Sequence, residues 1–248
     1  MACWHSFGES PCFEAFAVKW LYLHSGGTPI GAPQFYASHH MYLRRDQADA
    51  LFQESLSEVR LRLFGHLDFV KELMGCDDWS LVIKAQALVE ACVTQALLTK
   101  LGDERIRKTV EVMPLAGGEV SKLQFAKDLH VMDAPQRRFA KRLAALRNRL
   151  AHRIDCVNFS FSEYIESLDK NERHDWQDSI VWFGADAASR EIWLQMALKQ
   201  PRFAVIMSVF MLAAVLVVED NQISLMRSID LASSEATSEL LRSLENGG

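Results

Sequence analysis

Residues 79–101 read WSLVIKAQALVEACVTQALLTKL, and this stretch decides the fold. Apolar side chains occur nearly all around its helical wheel, which is typical of a helix enclosed by other elements. Asp77 or Asp78 precedes it as an N-cap, because a short acceptor side chain bonds the free N–H groups of the first turn. Gly102 follows it, where glycine relieves the left-handed turn that ends a helix. The pattern predicts a long, central, buried helix.

The segments on either side of this stretch are also predicted to be helical. Upstream, apolar residues recur in steps of three and four from about residue 46 to residue 74, which predicts a long amphipathic helix ending at Gly75. Downstream, the pattern predicts helices over 121–132, 135–153 and 187–199. No alternating strand pattern persists, so the predicted fold class is all-α, a helical bundle with additional C-terminal helices.

The first 40 residues differ from the rest of the chain. They contain clustered glycine and proline and show no sustained period, which predicts a loop, a poorly ordered segment or an extension. Residues 41–248 are predicted to form a single domain. With 49% hydrophobic residues the chain has ample material for a core, so a globally disordered protein is excluded.

Cysteine usage and the N-terminal sequence bear on the compartment. The five cysteines are odd in number, widely spaced and without a CxxC pair, which argues against a disulfide framework and against a zinc site. Charged residues at Glu9, Glu14 and Lys19 interrupt any secretory signal. We therefore expect a cytoplasmic protein with no metal and no cofactor.

Residues 203–218 test for a membrane segment. Ser208 is the single polar residue among these sixteen. A bilayer span needs about 20 apolar residues, so the run falls short. The favoured interpretation is a fully buried helix without membrane contact, and a membrane anchor is the alternative.

The chain concentrates positive charge in residues 137–153, RRFAKRLAALRNRLAHR, which we call the basic segment. It contains seven Lys or Arg and no acid, in a chain of net charge −5, so the remainder carries −12. A cationic strip on an anionic protein indicates a phosphate-bearing partner. The alternative is a solvated helix face, since Arg and Lys are good helix formers.

Helical geometry places the polar residues of the basic segment. Asn148 and His152 are four residues apart and share a face, opposite an apolar stripe that includes Leu143 and Leu150. Arg147 lies at the edge of that stripe. At about 100° per residue, Arg147 and His152 point roughly 140° apart. A kink, a second helix or a second protomer is needed to bring the two side chains onto one atom.

The hexapeptide from Arg147 to His152, RNRLAH, resembles the R-N-x-x-x-H form of the Rx4–6H motif of the HEPN superfamily, whose members are all-α RNA-processing and toxin domains. The setting is similar: a long helix, a buried helix with an internal acid at Glu90, and a short helix precede the motif. Within the superfamily the chain looks most like the mannitol-operon-repressor-like branch. The resemblance covers about residues 46–155.

The resemblance implies a function and assigns residues to it. HEPN ribonucleases cleave RNA without metal, through attack by the 2′-OH. His152 would then be the general base or acid, Arg147 would hold the scissile phosphate, and Asn148 would orient His152 or bind substrate. Glu90 would support the motif helix. The cations expected to bind RNA are Arg138, Lys141, Arg142, Arg149 and Arg153.

The resemblance also implies partners. HEPN domains commonly pair across a two-fold cleft, so a homodimer with a composite site is expected. The implied role is an RNA-cleaving toxin or defence effector, with an antitoxin protein as a further partner. The alternative is a non-catalytic regulatory or interaction protein resembling the mannitol operon repressor. A third interpretation is that His152 and Arg147 simply complement the dipole at the helix end.

Residues 157–188 form an acidic segment that lies outside the resemblance and is interpreted as an insertion. It has seven acids against Lys170 and Arg173, a net charge of −5. Because it directly follows the basic segment, we expect it to flank or cover that helix as a lid, held by Trp176, Trp182 or Phe183. The alternative is an independent acidic helix packed elsewhere.

Overall fold

The structure, a computed structural model, describes residues 50–51, 53–54, 57, 61–62, 71–153, 156–184 and 186–246. The predicted loop over residues 1–40 and the domain start at Met41 lie outside these residues, as does most of the predicted helix over 46–74. The described residues of that helix are all helical, and the helix includes Gly75.

The described part of the chain contains helices and no strand, which confirms the all-α class. Eight α-helices have both ends in this part, and a 3-10 turn, Glu104–Ile106, follows the first of them. The helices are α1 Asp78–Leu101, α2 Arg107–Val112, α3 Lys122–Asp128, α4 Ala134–Ala151, α5 Phe161–Ser167, α6 Lys170–Ile180, α7 Ala187–Lys199 and α8 Pro201–Asn246.

The chain divides into two compact units. The larger comprises residues 45–229 and contains α1 to α7 together with most of α8. The described part of the smaller unit is the helical stretch 230–246.

Local capping explains where the two central helices begin and end. The Asp77 side chain accepts a hydrogen bond from the backbone N–H of Ser80 at 2.9 Å, so Asp77 and not Asp78 is the N-cap of α1. Gly102 ends α1 at φ 69°, with its N–H bonded to the carbonyl of Leu98 at 2.8 Å. Asp133 and Gln136 form a reciprocal capping box at the start of α4. The bounds of α1 and α4 lie within two residues of the predicted 79–101 and 135–153, whereas α3 ends at Asp128, four residues before the end of the predicted helix 121–132.

The core of the larger unit surrounds α1, which packs along α4 and α3. Ten residues of α1 are buried, including Val82, Val89 and Leu97, none of which has any exposed surface. Helix α4 contributes its apolar stripe, in which Phe139 and Leu143 are buried. The predicted central helix is thus the element around which the others pack.

The apolar run 203–218 lies in α8, and residues 204–214 are buried without interruption inside the protein. This burial is what the core-helix interpretation expects. Two helices, α1 and the Pro201–Glu239 part of α8, are long and apolar enough to cross a bilayer by length and composition, a weak criterion that buried core helices also meet.

The acidic segment folds into α5 and α6, and it belongs to the core. Trp176 has no exposed surface, and its indole Nε1 donates to the carbonyl of Ala197 in α7 at 2.9 Å. Phe161 is also buried, and its N–H donates to the carboxylate of Asp78 at 2.8 Å. Helices α5 and α6 were not predicted, because short helices with few apolar positions show no periodic pattern.

Gly102 gives a test of the turn that ends α1. A Cβ there would lie 2.5 Å from the guanidinium of Arg227, which donates to the carbonyl of Lys100 at 3.0 Å. Gly102→Ala is therefore expected to lower the free energy of unfolding by about 1–2 kcal/mol, the cost of a left-handed conformation for an L-residue, plus the displacement of Arg227.

Urea unfolding measures this difference against Gly75→Ala, where an added Cβ meets no atom within 4 Å. Gly75→Ala should be neutral or slightly stabilising. Equal stability of the two variants would contradict the turn geometry.

Candidate nucleic-acid interface

The basic segment forms α4 from Arg137 onward and the two residues after it, and most of its charges lie on the side away from the core. The apolar stripe, including Leu146 and Leu150, is buried. The four exposed cations are Arg138, Lys141, Arg149 and Arg153, and the three half-buried ones are Arg137, Arg142 and Arg147. The structure therefore presents most of the predicted RNA-binding residues on one accessible surface.

His152 lies at the C-terminal end of α4, where it occupies the C-cap position at φ −101° and is exposed. Asn148, one turn earlier, is exposed as well. Both residues share a helix face, as the sequence predicts. An exposed imidazole is accessible to a substrate, and its ring nitrogens can accept or donate a proton.

Arg147 is half-buried at the edge of the stripe, which is where the helical wheel places it. Its Nη1 donates to the side-chain oxygen of Asn148 at 3.2 Å, while its buried Nε has no hydrogen-bond partner. The hydrogen bond that Asn148 makes is thus to Arg147. Because the unpaired Nε–H is enclosed by protein, it is not open to solvent in this structure.

Two aromatic residues of the acidic segment contact the arginines of α4. The guanidinium carbon of Arg149 lies 4.6 Å from the ring centroid of Tyr164. Arg142 donates to the Tyr164 hydroxyl at 3.1 Å, and its guanidinium carbon lies 5.9 Å from the ring centroid of Trp176. Sequence analysis missed Tyr164, because this contact depends on how the chain returns to α4.

The expectation that the acidic segment flanks the basic helix is confirmed by these contacts and by the packing of α6 on α4. Of the three anchors considered, Trp176 is the one that meets an α4 arginine in these contacts. Several acids of the segment have partners within it or in α7. Asp169 and Glu172 form a capping box, and Asp178 pairs with Arg190 of α7 at 3.2 Å. A lid function stays a prediction.

Glu90 is hydrogen-bonded within α1 and to α3, and its support of α4 stays a prediction. Its carboxylate accepts from Nζ of Lys122 at 2.7 Å and from the amide of Gln86 at 2.7 Å. Lys122, only 2% exposed, also donates to the carbonyl of Glu111 at 3.1 Å. These bonds join α1 to the start of α3, which packs on α4. A buried lysine has no distinctive pattern in the sequence.

Among the described residues, no three His, Cys, Asp or Glu side chains are grouped to hold a metal ion. The described cysteines, Cys76, Cys92 and Cys156, are free thiols. Burial, with a smaller effect of the Asp220 carboxylate, raises the pKa of the Cys92 thiol to about 11. Cys92 is therefore protonated and unreactive at neutral pH.

Comparison of the chain with models of protein families, with characterised proteins and with solved structures finds no match.

The Glu90–Lys122 pair provides a test of how α4 is supported. Lys122→Met should lower the free energy of unfolding by about 1–3 kcal/mol, because it leaves a half-buried carboxylate without its ammonium partner. Lys122→Met combined with Glu90→Gln should recover part of this loss, since no charge is then left unpaired.

Urea unfolding measures these variants beside Lys127→Met, which replaces an exposed lysine of the same helix. A loss from Lys122→Met no larger than that from Lys127→Met would show that the pair does not stabilise the fold.

Proposed function

We propose that this protein is a HEPN-like RNA-binding protein that cleaves RNA without metal, at the C-terminal end of α4. The observation that carries the proposal is an exposed imidazole, His152, at the end of a strongly cationic helix surface, with Asn148 one turn earlier and Arg147 five residues earlier at the edge of the apolar stripe. These residue types supply the proton transfer and the phosphate contact that the reaction needs.

The reaction is a transesterification within the RNA. The 2′-oxygen attacks the adjacent phosphorus while His152 accepts the proton of the 2′-OH, and the bond from phosphorus to the 5′-oxygen of the next nucleotide breaks. The products are a 2′,3′-cyclic phosphate and a 5′-OH, whose proton comes from a general acid. The guanidinium of Arg147 stabilises the negative charge that builds on the phosphoryl oxygens.

A second copy of the chain completes the site. Arg147 is half-buried at the edge of the apolar stripe whereas His152 is exposed, so one α4 directs them to different sides. Two copies of α4 facing each other across a two-fold axis bring the His152 of one copy toward the Arg147 of the other. We propose this homodimer as the active form.

The biological setting follows from the chemistry. An endoribonuclease that needs no metal is active wherever it meets RNA, so it requires control. We propose a cytoplasmic toxin or defence effector that an antitoxin protein holds inactive.

One observation favours a second candidate, a non-catalytic regulatory or interaction protein resembling the mannitol operon repressor. In this structure Nη1 of Arg147 already donates a hydrogen bond to Asn148, so that nitrogen is occupied within the chain. A protein of this kind binds its partner on α4 without cleaving RNA.

Cleavage in excess EDTA distinguishes the two candidates. His152→Ala and Arg147→Ala should each lower the cleavage rate about 10²–10⁴-fold, as expected for a general acid–base residue and for a charge-stabilising donor. The matched control is His174→Ala, which removes an exposed histidine of α6. RNA binding without cleavage by the wild-type chain would favour the second candidate. Full activity of His152→Ala would refute the proposal that the protein is an enzyme of this kind.

The composite site makes a further prediction about pairs of variants. Sedimentation velocity should show a dimer at micromolar concentration. Co-expressed His152→Ala and Arg147→Ala chains should recover part of the activity, because a mixed dimer retains one intact His152 and one intact Arg147 across the axis. A strict monomer, or no recovery in an isolated mixed dimer, would contradict a site shared between protomers.

A further inference from the structure

The stacked pair of Arg149 and Tyr164 has a geometry that suits recognition of a nucleobase. The guanidinium of Arg149 lies over the Tyr164 ring, with its central carbon 4.6 Å from the ring centroid. The Arg149 side chain is exposed. An arginine that rests on an aromatic ring can offer its planar guanidinium as a surface on which another ring stacks.

Tyr164 is held in place from several sides. Its hydroxyl accepts a hydrogen bond from Arg142 at 3.1 Å, and its ring meets the edge of Trp176 with centroids 5.4 Å apart. Phe159 contacts the same ring at 5.9 Å. Because Trp176 is fully buried, the ring rests on the core and Arg149 rests on the ring. The stack is thus ordered before any ligand arrives, which lowers the entropy lost on binding.

We propose that the site takes single-stranded RNA and that one base stacks on the guanidinium of Arg149; this inference rests on the proposed function. Arg149 precedes His152 by three residues, about 4.5 Å along the helix and about 60° around it, so both side chains project from the same side. A base that stacks on Arg149 places the phosphate adjacent to that nucleotide near His152. Bases in a duplex are already stacked on each other, and unpaired bases are the ones that stack on arginine planes.

Fluorescence anisotropy with full-length protein tests the inference. All chains carry His152→Ala so that RNA stays intact, and the probes are an oligouridylate, the same backbone with abasic residues, and an RNA duplex. Arg149→Lys keeps the charge but removes the plane. It should weaken oligouridylate binding about five- to a hundred-fold, the contribution of one stacked base, and leave abasic and duplex binding nearly unchanged. The control Arg105→Lys, at an exposed arginine outside α4, should change none of the three.

Two variants at Tyr164 separate stacking from packing. Tyr164→Phe keeps the ring but removes the hydroxyl that accepts from Arg142, so it should lose less oligouridylate affinity than Tyr164→Leu. Tyr164→Leu should lose about as much oligouridylate affinity as Arg149→Lys, and the double variant little more, because both remove one platform. Equal binding of oligouridylate and duplex by the parent, or equal effects of Arg149→Lys and Arg105→Lys, would overturn this inference alone. A parent that binds none of the probes would overturn the proposed function with it.

Discussion

The apolar contact between α1 and α4 is the constraint on which the other features of this fold depend. Helix α1 is buried along most of its length, so every neighbouring helix must offer it an apolar face. Helix α4 has one such face, and burying that face leaves its opposite side, with Asn148 and His152, toward solvent. The placement of the cationic surface is therefore a consequence of core packing and needs no attraction from a ligand.

The acidic segment adds a second layer of support. Its aromatic residues, rather than its carboxylates, make the contacts with Arg142 and Arg149. An aromatic partner orders a guanidinium without neutralising it, whereas a carboxylate partner would cancel the charge that a phosphate needs. Trp176 performs two tasks at once, since its indole N–H is bonded to α7 while its ring supports Tyr164.

Features set by neighbouring residues could be predicted from the sequence. The bounds of α1, α4 and α7 follow from caps and periodicity, because an aspartate or a glycine acts on the backbone within one turn. The exposed face of α4 also follows, since a helical wheel fixes which residues share a side. Short helices such as α2 and α5 do not, because their stability comes from tertiary burial and not from a local pattern.

The candidate site divides in the same way. Arg147, Asn148 and His152 could be found because they lie on one helix with a recognisable spacing. Tyr164 and Lys122 could not, because their contacts join positions far apart in the chain, 15 residues from Arg149 in one case and 32 from Glu90 in the other.

Charge arithmetic explains why stacking matters for a protein of this composition. Outside the basic segment the chain carries −12, so long-range attraction of a polyanion is weak and confined to the surface of α4. In the proposed complex with single-stranded RNA, the four exposed cations of that segment would release at most about three counterions, which is a small electrostatic contribution to affinity. Tight binding must then come from short-range contacts. The proposed platform, a guanidinium over an aromatic ring, supplies such a contact at no cost in charge. In the proposed complex it acts on a base rather than on the phosphate backbone, so it would select RNA whose bases are unpaired.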